Sequence, residues 1–272
     1  MYEGIVEQLE IMRLSGMSEL KKTAGDRRRT AENASGGVAS AGLDNKQETE
    51  EAPAKRNSTN SVAVCRLPSA VAPSAPKSEY RLDTKEGQLL QLADEVAQCT
   101  QCKDLANSRT QTVFGTGNPD AALVFLGEAP GADEDKQGEP FIGRAGQLLT
   151  DIIVKGMKIR REDVYICNIL RCRPPGNRNP MPDEAAYCRP FLDRTLEIIQ
   201  PKFICCLGAV AAKNLLASEK TIGALRGKVW EYNGTKVVCT YHPAYLLRNP
   251  AAKADTWEDI QLLMREMGMH KQ

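Results

Sequence analysis

The feature that most constrains the fold is a regular alternation of short apolar runs and amphipathic segments that begins near residue 85. Apolar runs predict strands at Ala121–Gly127, Val164–Ile169, Lys202–Leu207 and Val237–Tyr241. Helical spacing predicts helices at Gly87–Cys99, Arg144–Val154, Glu184–Ile199, Ala209–Leu216 and Thr256–Met267. Strands that alternate with helices are typical of an α/β protein whose parallel sheet is covered on both faces. We therefore expect residues 82–270 to form a single α/β domain.

The N-terminal part of the chain differs in composition from this domain. Residues 1–22 place Ile5, Leu9 and Met12 at helical spacing, which predicts one short amphipathic helix. Residues 23–81 are rich in Ala, Ser, Asn, Thr and Pro. Such a composition buries too little apolar surface to offset the entropy of ordering, so a disordered linker is expected. Residues 8–12 (QLEIM) loosely resemble the short peptides that bind sliding clamps, although the terminal aromatic residue is missing.

Bulk charge and hydropathy exclude several classes of protein. The formal net charge is +1, so any binding of nucleic acid must depend on local basic patches. No apolar run is long enough to cross a bilayer, and the N-terminus lacks a signal-peptide core. A cytoplasmic, monomeric protein with no membrane partner is expected. Disulfides are rare in a reducing compartment, so the nine cysteines point toward metal binding.

Four cysteines have the spacing C-x2-C-x69-C-x15-C, formed by Cys99, Cys102, Cys172 and Cys188. Four thiolates can complete a tetrahedral zinc site or hold a four-iron cluster. The spacing alone does not separate these alternatives, and a single CxxC can also be a redox pair or chance. Four further cysteines lie in predicted strands, where they are expected to be small buried hydrophobes: Cys167, Cys205, Cys206 and Cys239.

The segment Val124–Leu149 combines a strand, a long acidic loop and the start of a helix. In open α/β sheets, ligands bind beyond the carboxyl ends of the strands, so this loop is a candidate site. An acidic loop is poorly suited to phosphate. We expect a neutral ligand that forms hydrogen bonds.

Four motifs carry a resemblance to a known family. They are GEAPGADED at 127–135, EPFIGRAGQLL at 139–149, VYICNILRCRPPGNRNP at 164–180 and YHPAYLLRNP at 241–250. Together with the cysteine spacing, they resemble the family 4 uracil-DNA glycosylases over roughly residues 85–268. The resemblance implies a three-layer α/β/α fold with a central four-stranded parallel sheet. It also implies a [4Fe-4S] cluster on Cys99, Cys102, Cys172 and Cys188, and hydrolysis of deoxyuridine in DNA to free uracil and an abasic site.

The resemblance implies roles for residues that would bind a flipped base. A base inside a duplex must leave the stack before it can react. Phe141 is expected to stack on uracil, and the Asn168 amide is expected to recognise its Watson–Crick edge. Glu134 would exclude the C5 methyl group of thymine. The alternatives are a core phenylalanine for Phe141 and a helix-cap or turn asparagine for Asn168.

The expected chemistry depends on charge that develops on the uracil leaving group. His242 would donate a hydrogen bond to uracil O2 in a site of low dielectric. Ala129 lies where the best-known family of the superfamily carries an aspartate that activates water, as expected for family 4. Glu128 is the nearest acid and is expected to position the attacking water.

Two segments are expected to contact DNA. Arg171, Arg173 and Arg178 lie in a Pro/Gly-rich loop from which they could reach phosphates. The segment Pro243–Arg248 is expected to be a loop that inserts a wedge into the duplex, and its contact residues would be Tyr245, Leu246 and Arg248. The alternative for the arginines is a solvated face.

Two other functions are compatible with parts of the sequence. A related branch binds or cross-links uracil-DNA without turnover, but it carries a reactive His in an inserted basic loop. The corresponding region here, RCRPPGNRNPMPDE, has no His. The other alternative is a zinc-bound interaction module without enzymatic activity.

Overall fold

The computed structural model describes residues 80–269. The predicted N-terminal helix, the clamp-like segment 8–12 and the linker up to residue 79 lie outside the described residues. The domain begins near Tyr80, whose hydroxyl donates to Asp94 Oδ2 at 2.6 Å. None of the helices within residues 80–269 has the length and apolar content needed to cross a membrane.

A mixed sheet forms the centre of the domain. Its strands are β1 Thr116–Gly117, β2 Leu123–Gly127, β3 Tyr165–Asn168, β4 Phe203–Leu207, β5 Val229–Tyr232 and β6 Thr235–Thr240. Their spatial order is β1-β3-β2-β4-β6-β5. The four central strands run parallel, with Gly127 opposite Asn168 and Cys206 opposite Cys239. This confirms the predicted four-stranded parallel core, to which β1 and β5 add antiparallel edges.

Helices cover both faces of the sheet. They are α1 Lys85–Ala97, α2 Lys103–Ser108, α3 Ala132–Gln137, α4 Arg144–Asp151, α5 Pro182–Ile199, α6 Ala209–Leu216, α7 Ile222–Leu225, α8 Pro243–Arg248 and α9 Lys253–Glu266. A π-helical turn, Ile152–Met157, continues α4, and 3-10 turns occur at Arg161–Asp163, Pro175–Asn177 and Pro250–Ala252.

Alternate residues of each central strand pack into two separate cores. Val124 and Leu126 pack with residues of α1, α5 and α6, whereas Leu123 and Phe125 pack with residues of α4 and α9. All five residues of β2 are buried. A strand buried on both faces needs apolar side chains throughout, which is why these runs were recognisable in the sequence. The three-layer α/β/α architecture is confirmed.

Two segments that were expected to be loops are short helices. Pro243–Arg248 forms α8, because Pro243 fits the first helical turn and the His242 side chain caps it by accepting from Ala244 N at 3.1 Å. Within the acidic loop, Ala132–Gln137 forms α3 and ends at Gly138, whose φ is 80°. Its first turn is acidic, which suits the positive end of the helix dipole.

Candidate active site

The loops that follow β2, β3 and β6 meet beyond the carboxyl ends of these strands and form a cleft of about 390 Å³. Most of the predicted site residues line it: Glu128, Ala129, Glu134, Phe141, Asn168, Arg178, His242, Tyr245 and Arg248. Pro174, Asn177 and Asn179 also line the cleft, and they lie within the motif 164–180. The candidate site thus lies where an open α/β sheet is expected to bind a ligand.

Phe141 is held in a strained backbone conformation at one wall of the cleft. Its φ is 55°, a left-handed value that bulky residues rarely adopt. Arg161 donates to the Phe141 carbonyl at 3.1 Å and to the Pro140 carbonyl at 3.0 Å. A Cβ at Gly146 would lie 1.7 Å from the same Phe141 oxygen, so α4 can approach this turn only through glycine. These contacts fix the direction of the Phe141 ring.

Asn168 lies at the end of β3, directly opposite Gly127 on β2. Its side chain is buried, and its Oδ1 has no hydrogen-bond partner among the described residues. A Cβ at Gly127 would lie 2.3 Å from that oxygen and 2.6 Å from Phe141 Cζ. The absence of a side chain at Gly127 therefore allows the amide and the ring to share one corner of the cleft. A buried acceptor without a partner is costly and is well suited to a ligand N–H.

His242 also lines the cleft, with its ring centroid 5.5 Å from that of Phe141. Its Nδ1 accepts from the Ala244 N–H, so a neutral imidazole carries its proton on Nε2. Burial, and secondly the charge of Arg248, lower the pKa of His242 from 6.5 to about 4. The imidazole is therefore neutral near pH 7 and offers an Nε2–H donor.

Two carboxylates of the acidic loop line the cleft. Burial raises the pKa of Glu128 above its ordinary value, and its carboxylate has no hydrogen bond or ion pair with any residue in 80–269. Glu134 lies in the first turn of α3, where its Oε1 accepts from Gly143 N at 3.4 Å. Glu128 is thus free to contact a ligand or water, whereas Glu134 is partly engaged by the loop.

The structure corrects two of the predicted DNA contacts. Arg171 is 1% exposed and donates to Thr195 Oγ1 at 3.1 Å, so it cannot reach a phosphate. Leu246 is 1% exposed because α8 turns it inward, and Tyr245 and Leu247 are the exposed apolar residues of that helix. Of the predicted wedge residues, Tyr245 remains a candidate and Leu246 does not.

The remaining predicted DNA contacts lie at the surface. Arg178 lines the cleft, but its guanidinium donates to Glu184 Oε2 at 2.8 Å, which reduces its capacity for phosphate. Arg173 donates to Asn177 Oδ1 at 2.8 Å within the same loop. Arg248 is exposed at the end of α8. Arg161 was not predicted, and nothing in its sequence neighbourhood indicates that it holds Phe141.

The four spaced cysteines come together at one side of the domain. Cys102, Cys172 and Cys188 belong to one apolar cluster with Leu105, Leu170 and Ala129. Cys99, the fourth cysteine, is linked to this cluster through Arg109. The Arg109 guanidinium donates to Cys172 Sγ at 3.0 Å and to the Cys99 carbonyl at 2.8 Å. Within residues 80–269, however, no three His, Cys, Asp or Glu side chains are close enough to ligate a single metal ion. The four cysteines predicted to be buried hydrophobes in strands are fully buried, as expected.

Arg171 lies beside this cysteine cluster as a buried cation. It donates to the Phe114 carbonyl and to Thr195, and no carboxylate of the described residues pairs with it. Burial raises the pKa of the Cys188 thiol, and the neighbouring Arg171 opposes that rise. An ionised group taken out of water without a counter-charge is strongly destabilising, so negative charge is expected nearby.

The fold and the position of the cleft are those of an α/β protein that binds its ligand beyond the carboxyl ends of its strands, and comparison with known sequences defines its class. The family described as the uracil DNA glycosylase superfamily matches residues 114–261, and the chain belongs to it. A type-4 uracil-DNA glycosylase of Thermotoga maritima is 48% identical over 168 residues, which cover 61% of this chain and 86% of that protein. One from Archaeoglobus fulgidus is 46% identical over 175 residues, with 61% and 87% covered. Within the superfamily, the chain is a member of the type-4 family.

A more distant relative shows that the similarity extends beyond the type-4 proteins. A type-5 uracil-DNA glycosylase of Pyrobaculum aerophilum is 26% identical over 200 residues, which cover 61% of this chain and 87% of that protein. The type-4 relatives above are much more similar to this chain.

Proposed function

We propose that this protein removes uracil from DNA by hydrolysing the N-glycosidic bond of deoxyuridine, which leaves an abasic site. The observation that carries the proposal is the buried Asn168 oxygen without a partner among the described residues, in a cleft that the Phe141 ring and the neutral His242 also line. The names of the type-4 relatives identify uracil in DNA as the substrate of those proteins. Removal of a deaminated base is a DNA-repair reaction.

Recognition of uracil would use both the oxygen and the nitrogen of the Asn168 side-chain amide. The side-chain oxygen accepts from uracil N3–H, and the amide nitrogen donates to uracil O4. Cytosine presents an amino group and an unprotonated ring nitrogen at these positions, so the same amide is mismatched to it. Phe141 supplies a flat apolar surface for the flipped base. We assign Glu134 and Ala129 to the wall near the C5 edge, where a methyl group would collide with Glu134.

Bond cleavage would be driven by stabilisation of the leaving group. The C1′–N1 bond breaks with its electron pair on uracil, and the negative charge is delocalised onto O2. His242 donates from Nε2–H to that oxygen, and its own proton is retained. A fixed neutral donor in a water-poor cleft is effective because it needs no reorganisation as charge appears.

Glu128 is assigned to the attacking water. The sugar becomes an oxocarbenium-like cation, and water adds to its C1′ atom. A nearby carboxylate can orient that water and later accept its proton. Ala129 contributes no acidic group. The half-buried Glu128 carboxylate is the available acceptor because it has no partner among the described residues.

Contacts to DNA are assigned to the rim of the cleft. Tyr245 is 39% exposed and would fill the space left by the flipped base. Arg173 and Arg248 are the surface cations best placed to contact phosphates, with Arg178 as a partly neutralised third. Because the net charge of the chain is small, binding to DNA depends on these local cations.

The cofactor is proposed to be a [4Fe-4S] cluster on Cys99, Cys102, Cys172 and Cys188. The four residues fit such a group, because Cys102, Cys172 and Cys188 share one apolar cluster and Cys99 lies close enough to interact electrostatically with all three. No three His, Cys, Asp or Glu side chains of residues 80–269 are placed to ligate a single metal ion. The sulfur ligands of a four-iron cluster are more widely separated than those of zinc. The buried Arg171 cation favours a bound group of net negative charge beside these cysteines. When bound, the cluster would cross-link residues 99–102 to residues 172 and 188, and no reaction step depends on it.

Two expectations concern parts of the molecule that the cleft does not involve. We propose that the protein acts as a monomer and that residues 8–12 could contact a sliding clamp. A pull-down with a sliding clamp, using the full chain and a chain lacking residues 1–22, would test the second point. Equal recovery of the clamp by both chains would contradict it.

A strand-cleavage assay tests the proposed function. A labelled oligonucleotide with one uracil is incubated with the full-length protein and then treated with alkali, which breaks the chain at an abasic site. We expect cleavage at uracil and none at cytosine or thymine in the same position. An intact uracil strand, with an active control enzyme in parallel, would contradict hydrolysis, and a gel-stable protein–DNA adduct would indicate binding without turnover.

A further inference from the structure

A buried carboxylate lies beneath the side of the cleft that carries His242. Asp259 of α9 is fully buried and accepts three hydrogen bonds. The donors are Arg226 Nε at 3.0 Å, Gly227 N at 2.9 Å and Thr240 Oγ1 at 2.8 Å. Thr240 is the last residue of β6 and lies two positions before His242. One side chain of α9 therefore fixes both the end of β6 and the turn after α7.

The Arg226 guanidinium extends this arrangement toward the cleft. Besides Asp259, it contacts the Asp255 backbone oxygen at 2.5 Å. Its central carbon lies 5.5 Å from the centre of the Tyr241 ring, in a cation–π contact. Because the buried Asp259 carboxylate holds the guanidinium, its position against the Tyr241 ring is fixed.

Tyr241 in turn stacks on the residue that reaches the rim of the cleft. The Tyr241 and Tyr245 rings are stacked at 5.0 Å with an angle of 27° between their planes. Tyr245 is 39% exposed and lines the cleft, whereas Tyr241 directly precedes His242. The two rings therefore bracket His242 in the chain, and their stack restrains the helical turn that His242 caps.

We propose that Asp259 and Arg226 are positioning residues that hold the Tyr241–Tyr245 ring stack, and with it His242, in the geometry needed for uracil excision. The proposal rests on the function proposed above. Neither residue lines the cleft, so neither contacts the base, the sugar or the attacking water. They act through the ring stack. Small displacements of a catalytic group reduce rate steeply, while the affinity for DNA depends mainly on phosphate contacts.

A double-mutant cycle tests this coupling. The variants are Arg226→Ala, Tyr241→Leu and the two combined, each compared with the wild type in single-turnover uracil release. Affinity is measured with a duplex that carries 2′-fluoro-deoxyuridine, in which the electronegative substituent suppresses cleavage. We expect each single change to slow release about tenfold, with affinity changed less than about threefold. The double variant should be no slower than the single ones, because one restraint is removed in all three.

A conservative change and a matched control separate positioning from general loss of stability. Tyr241→Phe keeps the ring and should restore release to near the wild-type rate. Glu266→Gln is the matched control, because it also removes a carboxylate of α9 that pairs with β6. Its partner is Lys236 at 2.7 Å, at the end of β6 far from His242. This change should leave uracil release unchanged. If Arg226→Ala does not fold, the contrast between Tyr241→Leu and Tyr241→Phe decides. The proposal is overturned if the single changes multiply in the double variant, or if Tyr241→Leu releases uracil at the wild-type rate. A wild type that releases no uracil would instead refute the proposed function itself.

Discussion

At the scale of single residues, Gly127 shows how one absent side chain shapes the cleft. An added Cβ would collide with the Asn168 amide and the Phe141 ring at the same time. Both neighbours are held by backbone, one by β3 and the other by a strained turn, so neither can move away easily. The corner that would receive the base therefore depends on a residue with no functional group.

Substitution of Gly127 by alanine tests this dependence. We expect Gly127→Ala to lower the free energy of unfolding by about 1–3 kcal/mol, because overpacking strains the corner, and to slow uracil release by a larger factor than the loss of folded protein explains. Denaturant titration and single-turnover release, both at a temperature where the variant is folded, measure the two effects. Wild-type release by a folded variant would show that the corner does not hold the base.

The protonation state of His242 sets a second expectation at this scale. The pKa lowered to about 4 means that the folded protein keeps His242 neutral at higher pH. Release should therefore be independent of this group from about pH 5 to about pH 8 and should fall as the pH drops through about 4. The unfolded chain binds this proton already below about pH 6.5, so the contribution of His242 to stability declines as the pH falls from 6.5 to 4. A single-turnover pH profile whose acid limb is centred near 6.5 would contradict a neutral donor.

At the scale of elements, the strands were easier to predict than the segments that carry function. The central strands are buried on both faces, and only continuous apolar runs satisfy that environment. β5 alternates between exposed and half-buried residues, so it lacks such a run. The helix α8 was expected to be a loop, because its helical start depends on a cap from His242 that is visible only in three dimensions.

Some candidate site residues lie where the sequence predicts them, and others do not. Asn168 and His242 directly follow predicted strands, where topology places ligand contacts, and both line the cleft. Arg171 was expected in solvent because it lies near a Pro/Gly-rich loop, yet it turns inward between α5 and Phe114. Arg161 acts on Phe141 across a separation of 20 residues. No periodicity links such distant positions, so contacts of this kind could not be predicted.

The turn that presents Phe141 gives a testable role to Arg161. It donates to Thr150 Oγ1 at 3.0 Å as well as to the carbonyls of Pro140 and Phe141. We expect Arg161→Met to cost about 2 kcal/mol of stability and to slow uracil release several-fold, because the strained turn is no longer restrained. Arg160→Met is the matched control, since Arg160 pairs only with exposed acids of its own turn. Equal effects of the two changes in release assays and denaturant titrations would refute a role for Arg161 in presenting the ring.

At the scale of the whole molecule, the cysteine cluster and the cleft are joined through shared segments. Ala129 belongs both to the cleft lining and to the apolar cluster around the cysteines. Thr110, next to Arg109, donates its N–H to the Asp135 carboxylate of α3 at 2.9 Å. The loop that carries Glu128 and Glu134 is thus supported from the cysteine side of the domain.

The buried Arg171 allows the cofactor to be tested without reference to activity. If an anionic cluster compensates Arg171, then Arg171→Met should reduce bound iron and the visible absorbance of the purified protein. The same change should leave the metal-free protein equally stable or more stable, because an uncompensated buried charge has been removed. Arg173→Met, which changes a partly exposed neighbour, should leave iron content unchanged. Full iron content in Arg171→Met would contradict the charge compensation.

In the proposed mechanism, Asn168 recognises uracil and His242 stabilises it as it leaves. The most direct test is single-turnover release of free uracil from duplex DNA by the wild type, Asn168→Ala and His242→Ala, with the affinity for uncleavable uracil-DNA measured in parallel. We predict that the wild type releases uracil and that each folded variant is slower by about 10²-fold or more, because each loses a fixed polar contact to the base. A folded wild type that releases no uracil, or variants that release it at the wild-type rate, would contradict this mechanism.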